Sequence, residues 1–148
     1  MIKMKRIEKA VSYFEGNCNC AQSVLCSFSQ DYGLDEDKAL KIASGFGGGM
    51  GRLGGTCGSV TGAFMVIGLK YGMGIEGNKE AKEKSYQIVR DFTNRFQEIF
   101  GSVICRELLN CEINTTEGME YYEQNNFFEK KCLQYVKTSV KILEDLLK

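Results

Sequence analysis

Seven thiols and no imidazole define the chemistry open to this chain. Cys18, Cys20, Cys26, Cys57, Cys105, Cys111 and Cys132 occur in a 148-residue sequence without histidine. That absence removes Cys–His pairs, Ser–His–Asp triads and every histidine-containing metal site. The odd count and an expected reducing compartment argue against a disulfide framework. Two or three of the seven are expected to act as small buried hydrophobes. One thiol stands out by its approach: GFGGGMGRLGGTCGSVTG, Gly45 to Gly62, leads up to and past Cys57. Glycine loses more backbone freedom on folding than any other residue. Such density implies positive φ angles, very close approach, or disorder.

The cysteines fall near expected helix starts. Cys20 follows Asn19, read as an N-cap, and Cys57 follows Thr56, read as another. Cys105 lies three residues after Ser102, a third expected cap, and Cys132 lies in the second turn after Asn126. A helix N-terminus offers unpaired N–H groups and about half a positive charge, which favours thiolate over thiol. Without histidine, this is the activation route left, aided by Arg52, Arg106, Lys130 and Lys131. Cys57 is the best placed for it and is expected to ionise most easily.

The loop formally contains GxGxxG at Gly49–Gly54. A dinucleotide site needs a preceding strand, and DEDKALKIASG reads as helix. A P-loop fails because no Gly-Lys-Ser/Thr follows. The loop reads instead as a close-approach device in which Gly47, Gly48, Gly49 and Gly51, with Arg52, Thr56 and Gly58, present Cys57. Its bare N–H groups could face a sulfur, an anion or a substrate carboxylate.

The elements that must position these residues are helical. Ile7, Ala10, Val11 and Phe14 recur at helical spacing within Ile2 to Phe14, and Gly16-Asn17 ends that helix. CAQSVLCSFSQDYG follows Asn19, and Asp35 caps the next helix. CGSVTGAFMVIGLKYG reads as a buried helix whose Gly58, Ser59, Gly62 and Ala63 admit a close neighbour. KEAKEKSYQIVRDFTNRFQEIFG carries an apolar stripe of Tyr86, Val89, Phe92, Phe96 and Ile99. SVICRELLN and one short helix between Asn114 and Asn125 come next. Asn126 with Glu129 resembles a capping box opening the last helix. Proline is absent and nothing alternates with period two. The expectation is one all-α domain over residues 1–148, with about six or seven helices and the glycine loop leading into a buried central helix.

Taken together, these motifs resemble the C_GCAxxG_C_C family of redox-active proteins, small proteins with a CGAxxG core and four characteristic cysteines. The resemblance rests on Asn19-Cys20-Ala21-Gln22, on Ser44 to Gly51, and on Cys57-Gly58-Ser59-Val60-Thr61-Gly62. It continues through Phe96 to Leu108 and ends at Cys132. It implies that Cys20, Cys57, Cys105 and Cys132 are the family cysteines, the same four that the helix ends select. Ser59 stands where the motif has alanine. Cys18, Cys26 and Cys111 are extra.

Bulk properties bound the function. Nineteen basic and nineteen acidic residues balance, which argues against nucleic-acid binding through phosphate neutralisation. The longest apolar run, Val60 to Leu69, is far short of the ~20 residues that cross a bilayer. The N-terminus lacks the apolar core of a secretory signal, so a cytoplasmic protein is expected. Three functions fit. The first is thiol–disulfide chemistry, centred on Cys57 and served by a second cysteine and an unidentified redox partner. The second is an electron carrier or structural site in which the four cysteines hold an iron–sulfur cluster or zinc. The third is a small-molecule binder built on the glycine loop. The cofactor is left open between none, a cluster and zinc, and a homo-oligomer is compatible with all three.

Overall fold

The computed structural model describes residues 4–148, so Ile2, the start of the first expected helical segment, lies outside it. Among the described residues there are eight α-helices: α1 (Arg6–Glu15), α2 (Cys20–Cys26), α3 (Glu36–Ala43), α4 (Gly58–Tyr71), α5 (Lys79–Phe100), α6 (Cys105–Leu109), α7 (Thr116–Gln124) and α8 (Leu133–Leu146). The fold is all-α, as the periodicity implies. The one extended pairing among these residues is an isolated antiparallel bridge between Thr56 and Ile104.

The core forms where α4 runs through the centre. Its Gly58, Ser59, Val60, Gly62, Ala63, Val66 and Ile67 are buried. A helix buried on most sides carries little amphipathic contrast, which is why α4 shows an apolar run and not a stripe. α2 lies closest to it, and α8 packs against α1, α2, α4 and α5. Close approach comes from glycine. A Cβ on Gly62 would lie 2.7 Å from the Ala21 carbonyl oxygen and 3.0 Å from the Ala21 Cα. Only hydrogen at that position lets the backbones of α2 and α4 meet.

Five expected caps are confirmed or corrected. Asn19 caps α2 and forms a full capping box with Gln22: the Gln22 N–H donates to Asn19 Oδ1 at 2.8 Å, and the Asn19 N–H donates to Gln22 Oε1 at 2.9 Å. Asp35 caps α3. Thr56 does not cap α4. The helix begins one residue later than expected, at Gly58, and Cys57 itself occupies the N-cap position. Thr56 is instead held extended by its bridge to Ile104. Ser102 likewise stands outside α6, whose N-cap position is Ile104. The Ser102 hydroxyl accepts from the Ile104 N–H and donates to Glu107. Asn126 donates to Glu129 across side chains and has a φ of 54°, so the expected reciprocal box is not formed. On α5, Phe92 and Phe96 are buried as expected, but Tyr86 and Ile99 are exposed. The apolar stripe is therefore narrower than the spacing implies.

Candidate functional site

The glycine loop has an unusual backbone. Gly48, Gly49, Met50, Gly51 and Arg52 have φ values of 65°, 67°, 68°, 61° and 63°. Five consecutive residues thus lie in the left-handed region, which L-residues visit singly. Gly48, Gly49 and Gly51 take that conformation freely, whereas Met50 and Arg52 carry a strain of about 1–2 kcal/mol each. The turn is closed by the Gly54 N–H donating to the Gly48 carbonyl and the Gly55 N–H to the Gly49 carbonyl. Close approach adds a second demand. A Cβ on Gly49 would lie 2.7 Å from the Cys105 Cβ, and one on Gly47 would lie 2.7 Å from the Asn19 Cβ. The loop therefore wraps tightly against the starts of α2 and α6.

Its outgoing end is stitched to the segment before α6. The Cys57 N–H donates to Val103 O at 2.8 Å, the Cys105 N–H to Gly55 O at 2.6 Å, and the Arg106 N–H to Gly54 O at 3.2 Å. This pairing around the Thr56–Ile104 bridge puts Cys57 and Cys105 on one face, diagonal to each other. Cys20 arrives with the start of α2: a Cβ on Gly58 would meet the Cys20 Cβ at 3.2 Å and the Ala21 N at 3.0 Å. Cys132 arrives at the end of a π-helical turn, Phe128–Cys132, that runs into α8. Such turns are uncommon and often mark functional positions.

The structure brings the four together. All seven cysteines are thiols, and Cys20, Cys57, Cys105 and Cys132 are buried. Cys20 feels the charge on Cys132 and Cys57, Cys57 that on Cys132, and Cys105 that on both Cys57 and Cys132. The Tyr135 hydroxyl, which donates to Leu108 O at 3.0 Å, feels all four. Cys26 lies apart, beside Cys18 and Glu36. Cys111, another of the extra thiols, lies nearer the four than Cys26 does. It is half-buried and close enough to feel Cys132 and Lys131.

The ionisation order departs from the sequence expectation. Burial pushes the Cys57 thiol up to about 11; the Ser59 hydroxyl and the N–H groups of Ser59 and Val60 oppose this only in part. Burial likewise lifts Cys105 to about 12, with Cys57 and Cys132 adding to the rise. The helix end is real at Cys57, but desolvation outweighs it. Cys132 is the thiol held below its ordinary range. The Cys20 thiol donates to it, Tyr122 donates to it, and Lys131 lies near, and together these overcome its burial. The Tyr122 hydroxyl sits 3.6 Å from the Cys132 Sγ. Cys20 is pushed well up because its proton is the one shared with Cys132. Within this pair the tyrosine and the lysine favour charge on Cys132 and not on Cys20.

Tyr122 and Ser59 were not legible as site residues, whereas Lys131 was, from its place beside Cys132. No motif marks a tyrosine ten residues before a cysteine, and Ser59 reads as a harmless replacement for alanine. Its buried hydroxyl has no nitrogen or oxygen partner among the described residues, and it faces the Cys57 and Cys20 sulfurs. No group of three or more cysteines or carboxylates among the described residues is arranged to hold a metal ion.

Next to the glycine loop opens a cavity of about 480 Å³, whose walls include Asn19, Gly48, Arg52, Met119, Tyr122 and Phe128 but no cysteine. Tyr122 belongs to both the wall and the thiol cluster. No described helix is long and apolar enough to cross a membrane. No curated protein and no solved structure matches the chain. A family profile described as "Putative redox-active protein (C_GCAxxG_C_C)" matches residues 18–146. That span holds the capped start of α2, the left-handed loop, the CGxxxG start of α4 and all four converging thiols, and the chain belongs to this family.

Proposed function

We propose that this protein performs thiol–disulfide exchange, with Cys132 as the attacking thiolate and Cys20 as the resolving thiol. The observation that carries this reading is the Cys20–Cys132–Tyr122 arrangement, in which two donors converge on one sulfur and lower its pKa. The thiolate is the nucleophile in exchange, and a thiol whose pKa lies near ambient pH attacks best. Cys132 attacks one sulfur of a disulfide RS–SR, forming a Cys132–SR mixed disulfide and expelling RS⁻. Cys20 then gives up its proton and attacks the Cys132 sulfur, expelling the second RS⁻. The proton lost by Cys20 and one from solvent convert the two thiolates to two RSH. Two electrons pass from the dithiol to the disulfide. Cys57 and Cys105 stay protonated near neutral pH, since burial holds them at about 11 and about 12. They line the site as neutral thiols.

The competing reading is a metal or iron–sulfur site on the same four sulfurs. It is disfavoured because no three such donors among the described residues are arranged for an ion. Iron, zinc and sulfide analysis of anaerobically purified protein, with its visible spectrum, separates the two. The direct test of exchange is single-turnover reaction of the reduced protein with a small neutral disulfide. Cys132→Ser should abolish the mixed disulfide, and Cys20→Ser should trap it. Tyr122→Phe should shift the rate profile to higher pH. Loss of the adduct in Cys57→Ser but not in Cys132→Ser refutes the assignment.

A further inference from the structure

The cavity that shares Tyr122 with the thiol cluster suggests what is exchanged. At about 480 Å³ it holds a small molecule and not a folded protein. Its polar rim carries Asn17, Asn19 and Ser44, its apolar side carries Met119 and Phe128, and its single charged residue is Arg52. Ion pairs among the described residues do not include Arg52, and its guanidinium donates no hydrogen bond among them. Its backbone is fixed in place. Its backbone is the last of the five left-handed residues, and its N–H donates to Gly47 O at 3.1 Å. An L-residue in that conformation is strained, and such strain persists where the surroundings over-determine it, often at ligand sites. The loop thus brings a cation to the lining of a cavity that has no carboxylate there, and another lining residue, Tyr122, sits against the Cys132 sulfur.

Resting on the exchange reading, we infer that the substrate is a low-molecular-weight disulfide bearing a carboxylate. The carboxylate pairs with Arg52, assisted by the Asn17 amide. The carbon chain lies along Met119 and Phe128, and the disulfide passes Tyr122 to reach Cys132. The reaction is the one written above: the substrate S–S bond breaks, two thiols leave, and Cys20 and Cys132 are oxidised to a disulfide. A guanidinium suits a carboxylate because its paired N–H donors match the two oxygens.

The test uses the reduced full-length protein in single turnovers. Its probes are 3,3′-dithiodipropionate (anionic), bis(2-hydroxyethyl) disulfide (neutral) and cystamine (cationic), each rate divided by that with free mercaptoethanol. The anionic probe should be preferred to the neutral one by about fivefold at low salt, the scale of one exposed ion pair. The cationic probe should be slowest. The preference should fade in 1 M salt, where the screening length is ~3 Å. Arg52→Gln should bring the anionic-to-neutral ratio close to one, and Arg52→Lys should restore most of it. Lys141→Gln, which removes the same charge outside the cavity, should leave the ratio as it is. A ratio unchanged in Arg52→Gln overturns the substrate assignment while leaving exchange intact, as does a protein disulfide reacting faster than all three probes. Failure of every disulfide to react overturns exchange and this inference together.

Discussion

Two glycines on one helix should respond to the same substitution with opposite signs. Gly62 and Gly68 both lie within α4. Alanine in a helix interior is favoured over glycine by about 0.5–1 kcal/mol. At Gly68 a Cβ meets nothing within 4 Å, so Gly68→Ala should stabilise by roughly that amount. At Gly62 the new Cβ would lie 2.7 Å from Ala21 O, 3.0 Å from its Cα and 3.3 Å from its carbonyl carbon. Ordinary contact begins at 3.4 Å, so α2 and α4 must part by about 0.7 Å. All three atoms are backbone, so no rotamer change relieves the clash. Overpacking of this kind costs about 1–3 kcal/mol, which leaves a net loss of about 1–2 kcal/mol after the helix gain. For a domain of this size that is a fall in Tm of about 2–8 °C, against a small rise for Gly68→Ala. The displaced α2 also carries Cys20, so the sulfur that donates to Cys132 moves with it. Gly62→Ala should therefore slow alkylation of Cys132 near neutral pH, and Gly68→Ala should not. Urea and thermal unfolding, with alkylation followed residue by residue, give both readouts. Equal stability of the two variants would refute the close-contact reasoning.

Thr56→Ala should change stability by less than about 0.5 kcal/mol in urea unfolding, since Thr56 bridges Ile104 and does not cap α4; a loss near the ~1 kcal/mol of a true cap would contradict this. Ser59→Ala removes a buried hydroxyl without a nitrogen or oxygen partner, so thermal melting should show little or no loss while Cys57 becomes harder to ionise in a thiol titration; a large loss of stability would show the hydroxyl to be well bonded. Ala63→Asp buries an unpaired charge at a position with no solvent exposure, and an unshifted melt would contradict the placing of α4. Alkaline pH should unfold the reduced protein: Cys57 and Cys105 are raised from an ordinary 9.0 to about 11 and about 12. Their folded pKa values exceed the unfolded ones, so their contribution is complete below pH 9 and is lost as pH rises towards 11 and 12. The slope is about 1.4 kcal/mol per pH unit for each thiol; a urea midpoint equal at pH 8 and pH 10.5 would contradict it.

Sequence alone determined the local features, because each depends on residues a few positions apart. Helical spacing and the lack of proline were enough for the all-α class. Asn19 and Asp35 were legible as caps because a capping side chain bonds N–H groups two or three residues away. The glycine density announced a tight, close-approach loop. The glycines, with Cys20, Cys57, Cys105 and Cys132 near helix starts, pointed to thiol chemistry. Exact helix starts were less legible at Thr56 and Ser102, since a long-range bridge between Thr56 and Ile104 overrides the local capping preference.

Tertiary structure decided how burial and neighbouring donors weigh on each thiol. Local reasoning placed the activated sulfur at Cys57, because a helix end is visible in a short window of sequence. Desolvation is not visible there: it depends on how α2, α4, α6 and the turn before α8 close around the sulfur, and it lifts Cys57 to about 11. The donors that favour Cys132 come from Cys20 on α2 and Tyr122 on α7, 112 and 10 residues away in sequence. Their effect exists only once the chain has folded. Burial sums over the whole surroundings of a group, while a cap is a contact between neighbours in sequence, and so the sequence reveals the second and not the first.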